Sequence, residues 1–382
     1  MEEIEEIIKH FYYLHIPFFF YLIINIAEQS QKINYKEPMT IEFNTIPVST
    51  TILNPLKDFN EDTIEMEIRY DPLLGERCDV CHFGILPSER IDLEPIIKKS
   101  LERPCPFCPD LVDKFTPKFL QNIFPEGRVN RGEAWLIPNL FPWTLHNPLV
   151  VVTSDHFVGM KDFNTKMLTD VFKLSQMYIN RIKETGEDVK YWSIGWNYMP
   201  PSGGSQVHPH IQVMGQNYPT PMEEKVINAT RNYYNKHSSA YFEDLIRKEK
   251  ELGLRYIGDT GDISWLVNYV SRSWIFEILA VFHRKNAFKN LSENELKDLS
   301  EGLLKVMNYS DSKDLYSFNL NLFSNNDSNC DYLNTYARFI PRFLYSPVQA
   351  ADASIGRIAH DWCFMFIKPE DICKEIRPFF EI

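Results

Sequence analysis

The sequence lacks an excess of positive charge. It has 40 Lys and Arg residues against 52 Asp and Glu residues, which gives a formal net charge of -12 at pH 7. Such a chain repels the phosphate backbone of a nucleic acid unless its basic residues cluster locally. We therefore expect no nucleic-acid partner, although a small phosphorylated ligand is still allowed because one pocket needs only a few donors.

The sequence also lacks an uninterrupted apolar run long enough to cross a membrane. Its most apolar stretch, residues 11–26, follows the acidic segment MEEIEE and is interrupted by His15 and Pro17. A spanning helix needs about 20 consecutive apolar residues. We interpret this stretch as a buried or docking helix, and we expect neither an export signal nor a membrane partner.

The sequence has few cysteines, and their number is odd. The chain has seven cysteines, and four of them form two C-x-x-C pairs, Cys78 with Cys81 and Cys105 with Cys108. In a protein without an export signal, this pattern favours metal ligation over disulfides. It also predicts a cytoplasmic location.

Beyond these absences, the order of elements predicts an α+β fold with a duplicated unit. Residues 1–65 are predicted to form an N-terminal extension, with an apolar helix followed by β-type sequence. The Pro- and Cys-rich stretch 66–131 predicts metal-tied loops with little regular structure. After it, the order strand, helix, strand, strand occurs twice, with helices at 163–185 and 292–309 and a long polar helix at 221–252 between the two rounds. We therefore divide the rest of the chain into an N-terminal half, 66–220, and a C-terminal half, 221–382.

The segment Gly203–Gln212, GGSQVHPHIQ, carries the strongest chemical signal. In an extended strand, His208, His210 and Gln212 project from one face. One imidazole can then be fixed by a metal while the next directs a free nitrogen at phosphorus, and Gln212 can donate to a phosphoryl oxygen. The arrangement predicts phosphoryl transfer with His210 as the nucleophile.

The glycines before this motif suit a phosphate site. Gly203 and Gly204 allow backbone N–H groups to approach a phosphate closely, and the Ser205 hydroxyl is available to the leaving group. Phosphoryl transfer depends mainly on such positioning.

These residues resemble galactose-1-phosphate uridylyltransferase, a member of the histidine triad (HIT) superfamily. The likeness is specific over about 66–215 and extends over 257–382 only as a similar order of elements, so it implies two HIT-like antiparallel-sheet halves. It implies a structural zinc ion whose four ligands lock the strand that presents His210. The implied ligands are Cys105, Cys108, His156 and His208.

An alternative zinc site consists of the four cysteines in the two C-x-x-C pairs, Cys78, Cys81, Cys105 and Cys108. It leaves His156 and His208 unexplained. Under the first assignment, Cys78 and Cys81 are either a second metal half-site or ordinary reduced thiols.

The resemblance also implies substrate contacts. Asn139 and Asn197 match asparagines that contact the nucleotide, and Asp361 matches a hexose-binding stretch, although an Asp at a helix start is an equally good interpretation. Leu140 stands where the family commonly has an acidic residue. The second histidine pair of the family is replaced by a stretch with Arg338 and Arg342, so a second metal is not expected there.

The resemblance therefore implies a ping-pong nucleotidyltransferase that acts on a nucleotide sugar and a sugar 1-phosphate. A covalent nucleotidyl-histidine would form on His210, and a homodimer would complete the site. Two alternatives stay open: a phosphorylase that uses inorganic phosphate to cleave a nucleotide sugar or dinucleoside polyphosphate, and a zinc-containing nucleotide-binding protein without activity.

Overall fold

The computed structural model describes residues 41–81, 90–326, 330–345 and 350–381. Ile41–Ile382 form one compact unit. The helix predicted within residues 11–26 lies outside the described residues. No helix in the described part of the chain is long and apolar enough to cross a membrane.

The strands and helices are as follows, in chain order. The strands are β1 (Thr45–Asn54), β2 (Asn60–Tyr70), β3 (Arg77–Val80), β4 (Val129–Arg131), β5 (Ala134–Pro138), β6 (Pro148–Val151), β7 (Tyr191–Tyr198), β8 (His210–Gln216), β9 (Tyr256–Thr260), β10 (Ile263–Val267), β11 (Ile278–Phe282), β12 (Ser317–Asn325), β13 (Tyr336–Arg342), β14 (Leu344–Tyr345), β15 (Ala350–Ala351) and β16 (Cys363–Met365). The helices are α1 (Glu94–Ser100), α2 (Pro109–Phe115), α3 (Thr165–Glu184), α4 (Pro221–His237), α5 (Tyr241–Leu252), α6 (Glu293–Ser312), α7 (Ile355–His360) and α8 (Pro369–Ile376).

A ten-stranded sheet contains the duplication predicted from the sequence. Its order is β4-β5-β6-β8-β7-β12-β13-β11-β10-β9, so each half contributes five strands in the same relative order. The two halves join where β7 pairs with β12 in antiparallel register, with Asn197 opposite Asn319. This arrangement confirms the α+β fold with two antiparallel halves.

One face of the sheet is covered by α3 and α6, the equivalent helices of the two halves. Each begins at a side-chain cap, Asn164 for α3 and Ser292 for α6, which accepts a backbone N–H of the first turn. Both helices bury apolar side chains against the sheet, in a core that includes Trp196, Trp265 and Phe318. The opposite face therefore has room for polar side chains of β7, β8 and β12.

A second, four-stranded sheet has the order β1-β2-β3-β16. The β1–β2 hairpin includes residue 65, the last residue of the N-terminal extension drawn from the sequence. The boundaries 1–65, 66–220 and 221–382 stay predictions. The stretch 66–131 has more regular structure than we expected, since it contains β3, α1, α2 and β4. The prediction of one long helix over 221–252 is wrong. Ser238 has a left-handed conformation, with φ of 55°, and ends α4, and a separate helix, α5, begins at Tyr241.

Candidate active site

Four side chains from three segments form a cluster that could hold a metal ion. Cys105 and Cys108 lie in the turn that leads into α2, His156 follows β6, and His208 precedes β8. Their four ligand atoms all lie within 4.8 Å of one another. The sequence prediction of these four residues as one cluster agrees with the structure.

The distances within this cluster fit zinc. The Nδ1 of His208 lies 3.6 Å from the Sγ of Cys105 and 3.7 Å from that of Cys108, and the Nδ1 of His156 lies 3.4 Å from the Sγ of Cys108. A tetrahedral zinc ion with Zn–S bonds of about 2.3 Å and Zn–N bonds of about 2.0 to 2.1 Å requires a sulfur-to-nitrogen distance of about 3.5 Å. The cluster therefore has the spacing that the ion needs.

Both histidines are oriented by hydrogen bonds on the far side of the ring. The Nε2 of His208 donates to the carbonyl of Thr153 at 2.8 Å, and the Nε2 of His156 lies 2.7 Å from the Ser100 hydroxyl, which itself donates to a backbone carbonyl. Because each Nε2 carries the proton, each Nδ1 has its lone pair free for a metal. Burial also lowers the pKa of His208 to about 4, so this imidazole is neutral.

The cysteines need a cation to form a thiolate pair. Burial and the neighbouring Cys105 raise the pKa of Cys108 to about 11. Two thiolates this close repel each other, and a divalent ion removes that cost. The chemistry of the donors and their spacing both support a zinc site.

The alternative site with four cysteines is wrong. Cys78 lies on β3, where its thiol contacts the carbonyl of Ser271 at 3.7 Å, and Cys81 follows that strand. Neither belongs to the cluster, and burial raises the pKa of the Cys78 thiol. Cys78 and Cys81 are reduced thiols.

His210 is the first residue of β8 and lies two residues after His208, a member of the cluster. Its Nδ1 lies 2.9 Å from the carbonyl of His208, so Nδ1 carries the proton and Nε2 has a free lone pair. The ring is half-buried, and burial lowers its pKa. The predicted strand began too early: His208 lies in a bend before β8, because it turns into the cluster and Pro209 has no N–H to donate.

The Phe107 ring contacts both imidazoles, although the sequence analysis did not identify it. Its centroid lies 5.0 Å from that of His210 and 5.9 Å from that of His208. Phe107 lies between Cys105 and Cys108 in the chain, so the C-x-x-C turn that carries two of the candidate metal ligands also packs against the candidate nucleophile. Its place within that motif was the signal available in the sequence.

Gln212 is oriented by Trp143, a second residue that the sequence analysis missed. The indole N–H donates to the Oε1 of Gln212 at 2.9 Å. Since an indole nitrogen only donates, the atom it meets must be the amide oxygen. The NH₂ group of Gln212 is therefore left to donate elsewhere. Trp143 is 66% exposed on the loop between β5 and β6, and no motif marks it.

The glycine loop lies at the end of β7. Met199 has φ of 68°, a strained value for a side chain with a β-carbon, and Gly203 has φ of 88°. A β-carbon on Gly204 would come within 2.8 Å of the Asn197 carbonyl oxygen, so only glycine fits there. Ser205 is exposed, and its hydroxyl has no hydrogen bond to other described residues.

The two predicted nucleotide-binding asparagines differ in their surroundings. Asn139 shapes the loop that carries Trp143, since its Oδ1 accepts from the Phe141 backbone and its Nδ2 donates to Asn147. Asn197 lies on β7, and its Oδ1 accepts from the Nδ2 of Asn319 at 2.7 Å. Asn319, on β12, is a third residue that sequence reasoning missed, because the contact depends on how the two halves pair.

Asp361 lies apart from this group. It ends α7 with φ of 47° and pairs with Arg357 at 3.1 Å, so it is at a helix end and not at a helix start. It lines a surface pocket of about 370 Å³ with Arg77, His360 and Trp362, beside the four-stranded sheet. The structure does not bring Asp361 into contact with His210 within one chain.

Arg338 occupies the position in the second half that Gln212 occupies in the first. Gln212 pairs with Leu149 and Gly195, while Arg338 pairs with Leu279 and Asn321. The Arg338 Nε lies 2.5 Å from Glu277, whose side chain is fully buried. Burial alone would raise the pKa of Glu277, but the bonds to Arg338 outweigh it and hold the pKa below its ordinary value. Arg338 is thus part of a buried ion pair.

Replacing Arg338 with Met is expected to destabilise the protein by about 3 to 5 kcal/mol, because it leaves the buried Glu277 charge unpaired. Urea denaturation measures this change. The double variant Glu277→Gln, Arg338→Met removes both charges and should recover much of the loss. A single variant as stable as the unchanged protein would contradict this role.

Comparison with known proteins found a relative by sequence and solved structures with a similar fold. No protein-family model matches the chain. An uncharacterized protein of Archaeoglobus fulgidus is 30% identical over 314 residues, which cover 82% of this chain and 92% of that protein.

Two solved structures have a similar architecture. A GalT-like protein of Arabidopsis thaliana matches with a TM-score of 0.62 and 16% identity, over 82% of this chain and 98% of its own. An ADP-glucose phosphorylase of Arabidopsis thaliana, solved with bound ADP-glucose, matches with a TM-score of 0.62 and 15% identity, over the same shares of 82% and 98%. At these identities the likeness establishes the fold, and it confirms the one expected from the sequence.

Proposed function

We propose that this chain, which belongs to the family of its Archaeoglobus fulgidus relative and has the GalT-like fold, transfers a nucleoside monophosphate by way of His210. The donor is a nucleotide sugar. The acceptor is a sugar 1-phosphate, and the protein is a hexose-1-phosphate uridylyltransferase-like enzyme.

One observation carries this proposal: His210 has a free Nε2, and it lies beside the four-residue cluster without being one of the candidate ligands. Its Nδ1–H is held by the His208 carbonyl at 2.9 Å, and the four metal ligands are complete without it. A neutral imidazole with one fixed tautomer is a competent nucleophile at pH 7.

In the first step the Nε2 lone pair attacks the α-phosphorus of the nucleotide sugar. The bond from this phosphorus to the oxygen bridging to the β-phosphorus breaks, and sugar 1-phosphate leaves with the electron pair. The Nδ1 proton stays in place, so the ring of the intermediate is cationic and the His208 carbonyl stabilises it. In the second step an acceptor phosphate oxygen attacks the same phosphorus, and the N–P bond electrons return to His210.

The neighbouring residues bind and orient the phosphate. The NH₂ group of Gln212, left free by Trp143, donates to a nonbridging oxygen of the α-phosphate. The Ser205 hydroxyl donates to the departing phosphate, and the backbone of Gly203 and Gly204 allows close approach. Asn139 and Asn197 contact the nucleotide.

A zinc ion held by Cys105, Cys108, His156 and His208 would be structural. Bound there, it would hold together the turn before α2, the segment after β6 and the start of β8. These ligands leave no place for water on the ion, so the chain's own residues carry the transfer.

The proposal includes a homodimer and a second part of the site. Because Asp361 lies apart from His210 within one chain, its proposed contact with the sugar requires that a second protomer completes the site. A cytoplasmic location is also part of the proposal, since the cysteines of the described residues form no disulfide and thiolate ligands need a reducing compartment.

The test is to incubate the protein with UDP-glucose or ADP-glucose labelled at the α-phosphate, quench it, and measure label on the chain. Label that is stable to base and labile to acid is expected, as for a phosphoramidate. Adding galactose 1-phosphate or inorganic phosphate then releases the label as a nucleotide sugar or as a nucleoside diphosphate. Release by phosphate alone would favour a phosphorylase, and no label from either donor would contradict the mechanism and favour an inactive nucleotide-binding protein.

Replacing Trp143 with Phe is expected to lower the rate of label transfer by about 2- to 10-fold, because one hydrogen bond that orients the Gln212 amide is lost. The melting temperature should change little, since the ring is exposed. Phe141→Leu, on the same loop, is the matched control and should leave the rate unchanged. An unaltered rate in the Trp143 variant would contradict the orienting role of its indole.

A further inference from the structure

A chain of hydrogen bonds connects the second half of the protein to the nucleotide-binding face of the first. Asp352 accepts from the Nε and Nη2 of Arg342, at 3.1 and 2.5 Å. The Nη1 of Arg342 donates to the Oδ1 of Asn319 at 2.8 Å. The Nδ2 of Asn319 then donates to the Oδ1 of Asn197 at 2.7 Å and to the carbonyl of Ser202 at 2.9 Å. The chain starts at a buried carboxylate and ends at the glycine loop.

The direction of these hydrogen bonds follows from groups that can only donate or can only accept. A guanidinium only donates, so the Asn319 atom that meets Arg342 must be the amide oxygen. A backbone carbonyl only accepts, so the Asn319 atom that meets Ser202 must be the amide nitrogen. Both protons of this nitrogen are therefore used, one on Ser202 and one on Asn197.

The same logic fixes the amide of Asn197. Its Oδ1 faces Asn319, so its Nδ2 faces away, and this nitrogen has no hydrogen-bond partner among the described residues. The register pairs Gln212 with Gly195, and Asn197, two residues further along β7, projects to the same face of the sheet as Gly195 and Gln212. The Asn197 amide thus presents a donor on the face that carries Gln212, which suits a phosphate or a nucleotide hydroxyl.

Arg342 is not itself available to a ligand in this arrangement. Its contacts to Asp352 and Asn319 hold the guanidinium from two sides, and its side chain is 23% exposed. The Asp352 side chain is only 6% exposed, so removing the arginine would leave a buried carboxylate without its partner.

We propose that Arg342 and Asp352 are positioning residues that act through Asn319 to fix the donor orientation of Asn197. This inference rests on the proposed function, because it assigns a task to the second half in binding the nucleotide. Residues of the C-terminal half would thus fix the hydrogen-bonding orientation of the Asn197 amide in the N-terminal half. Asn319→Asp should reverse this orientation, since a carboxylate accepts where the amide donates.

The test compares Arg342→Met, Arg342→Lys, Asn319→Asp and Asn197→Ala with the double variant Arg342→Met, Asn197→Ala. Two readouts are measured for each protein: the kcat and KM of label transfer, and the Kd for UMP and AMP by calorimetry. Arg247→Met, which breaks a surface pair with Asp244 on α5, is the matched control. Melting temperatures are measured for all variants.

Arg342→Met is expected to lower kcat/KM by about 10- to 100-fold, the cost of a misplaced binding group. Arg342→Lys keeps one donor for Asn319 and should recover part of the loss. The double variant should be no worse than Asn197→Ala alone, within about twofold, because both changes remove the same donor. Losses that multiply in the double variant, as a general loss of folding would cause, overturn the proposal.

The nucleotide Kd separates this proposal from the proposed function. If the unchanged protein takes up no label but binds UMP or AMP, the transfer mechanism fails, and the same comparison of Kd values supports or overturns the positioning role. If the protein neither takes up label nor binds a nucleotide, Asn197 has no ligand to orient and both proposals are wrong.

Discussion

Replacing His210 with Gly is expected to abolish the covalent label and to reduce nucleotidyl transfer by about 10⁴-fold or more, because no other group supplies the nucleophile. The Nε2 of this ring has its lone pair free, while the Nδ1 atoms of His156 and His208 face the cysteines. Neither histidine of the metal cluster can therefore replace it. Quenched-flow labelling with UDP-glucose or ADP-glucose measures the effect.

The control is His237→Gly, at the end of α4 and outside the site, which should label normally. The His210 variant should also retain its zinc and its melting temperature, since His210 is not a ligand. Covalent label on the His210→Gly protein would show that another residue is the nucleophile. A loss of zinc from that variant would instead place His210 in the metal site.

Replacing Cys108 with Ser is expected to abolish binding of the proposed zinc ion and to destabilise the zinc-loaded protein by at least about 4 kcal/mol, because the ion would join three separate segments. A serine hydroxyl binds zinc poorly, and the remaining Cys105 cannot balance the ion alone. Transfer should be lost together with the metal, since His208 lies two residues before His210. Metal content by emission spectroscopy and urea denaturation measure the two effects.

Cys81→Ser is the matched control, because Cys81 is the second cysteine of the other C-x-x-C pair and lies outside the cluster. It should keep both zinc and activity. A site with four cysteines would lose zinc in both variants. Zinc retained in the Cys108 variant would contradict the ligand set described here.

The parts of the site that a short segment encodes could be predicted from sequence. The H-P-H-x-Q and C-P-F-C motifs, with the family resemblance that they carry, predicted the four residues that the structure brings together, Cys105, Cys108, His156 and His208. The role of His210 stays a prediction. The order of strands and helices likewise gave the duplicated fold. The break between α4 and α5 was missed because Ser238 takes up a left-handed conformation that non-glycine residues adopt rarely.

The parts that depend on tertiary contacts could not be predicted. Trp143 meets Gln212 across 69 positions of sequence, and Asn319 meets Asn197 across 122. No local pattern predicts such pairs, because they depend on where the β5–β6 loop meets β8 and on how β7 pairs with β12. In the sequence, Arg338 was noted only as part of the stretch that replaces the family's second histidine pair, and its ion pair with the buried Glu277 became visible only in the structure.

The pairing of β7 with β12 limits how this protein could be divided. If the chain were cut between β8 and α4, one fragment would end in an open β7 edge of eight residues and the other in an open β12 edge of nine. Exposed edges of that length invite aggregation. We therefore expect the two halves to be stable only together, because each one covers the open strand edge of the other.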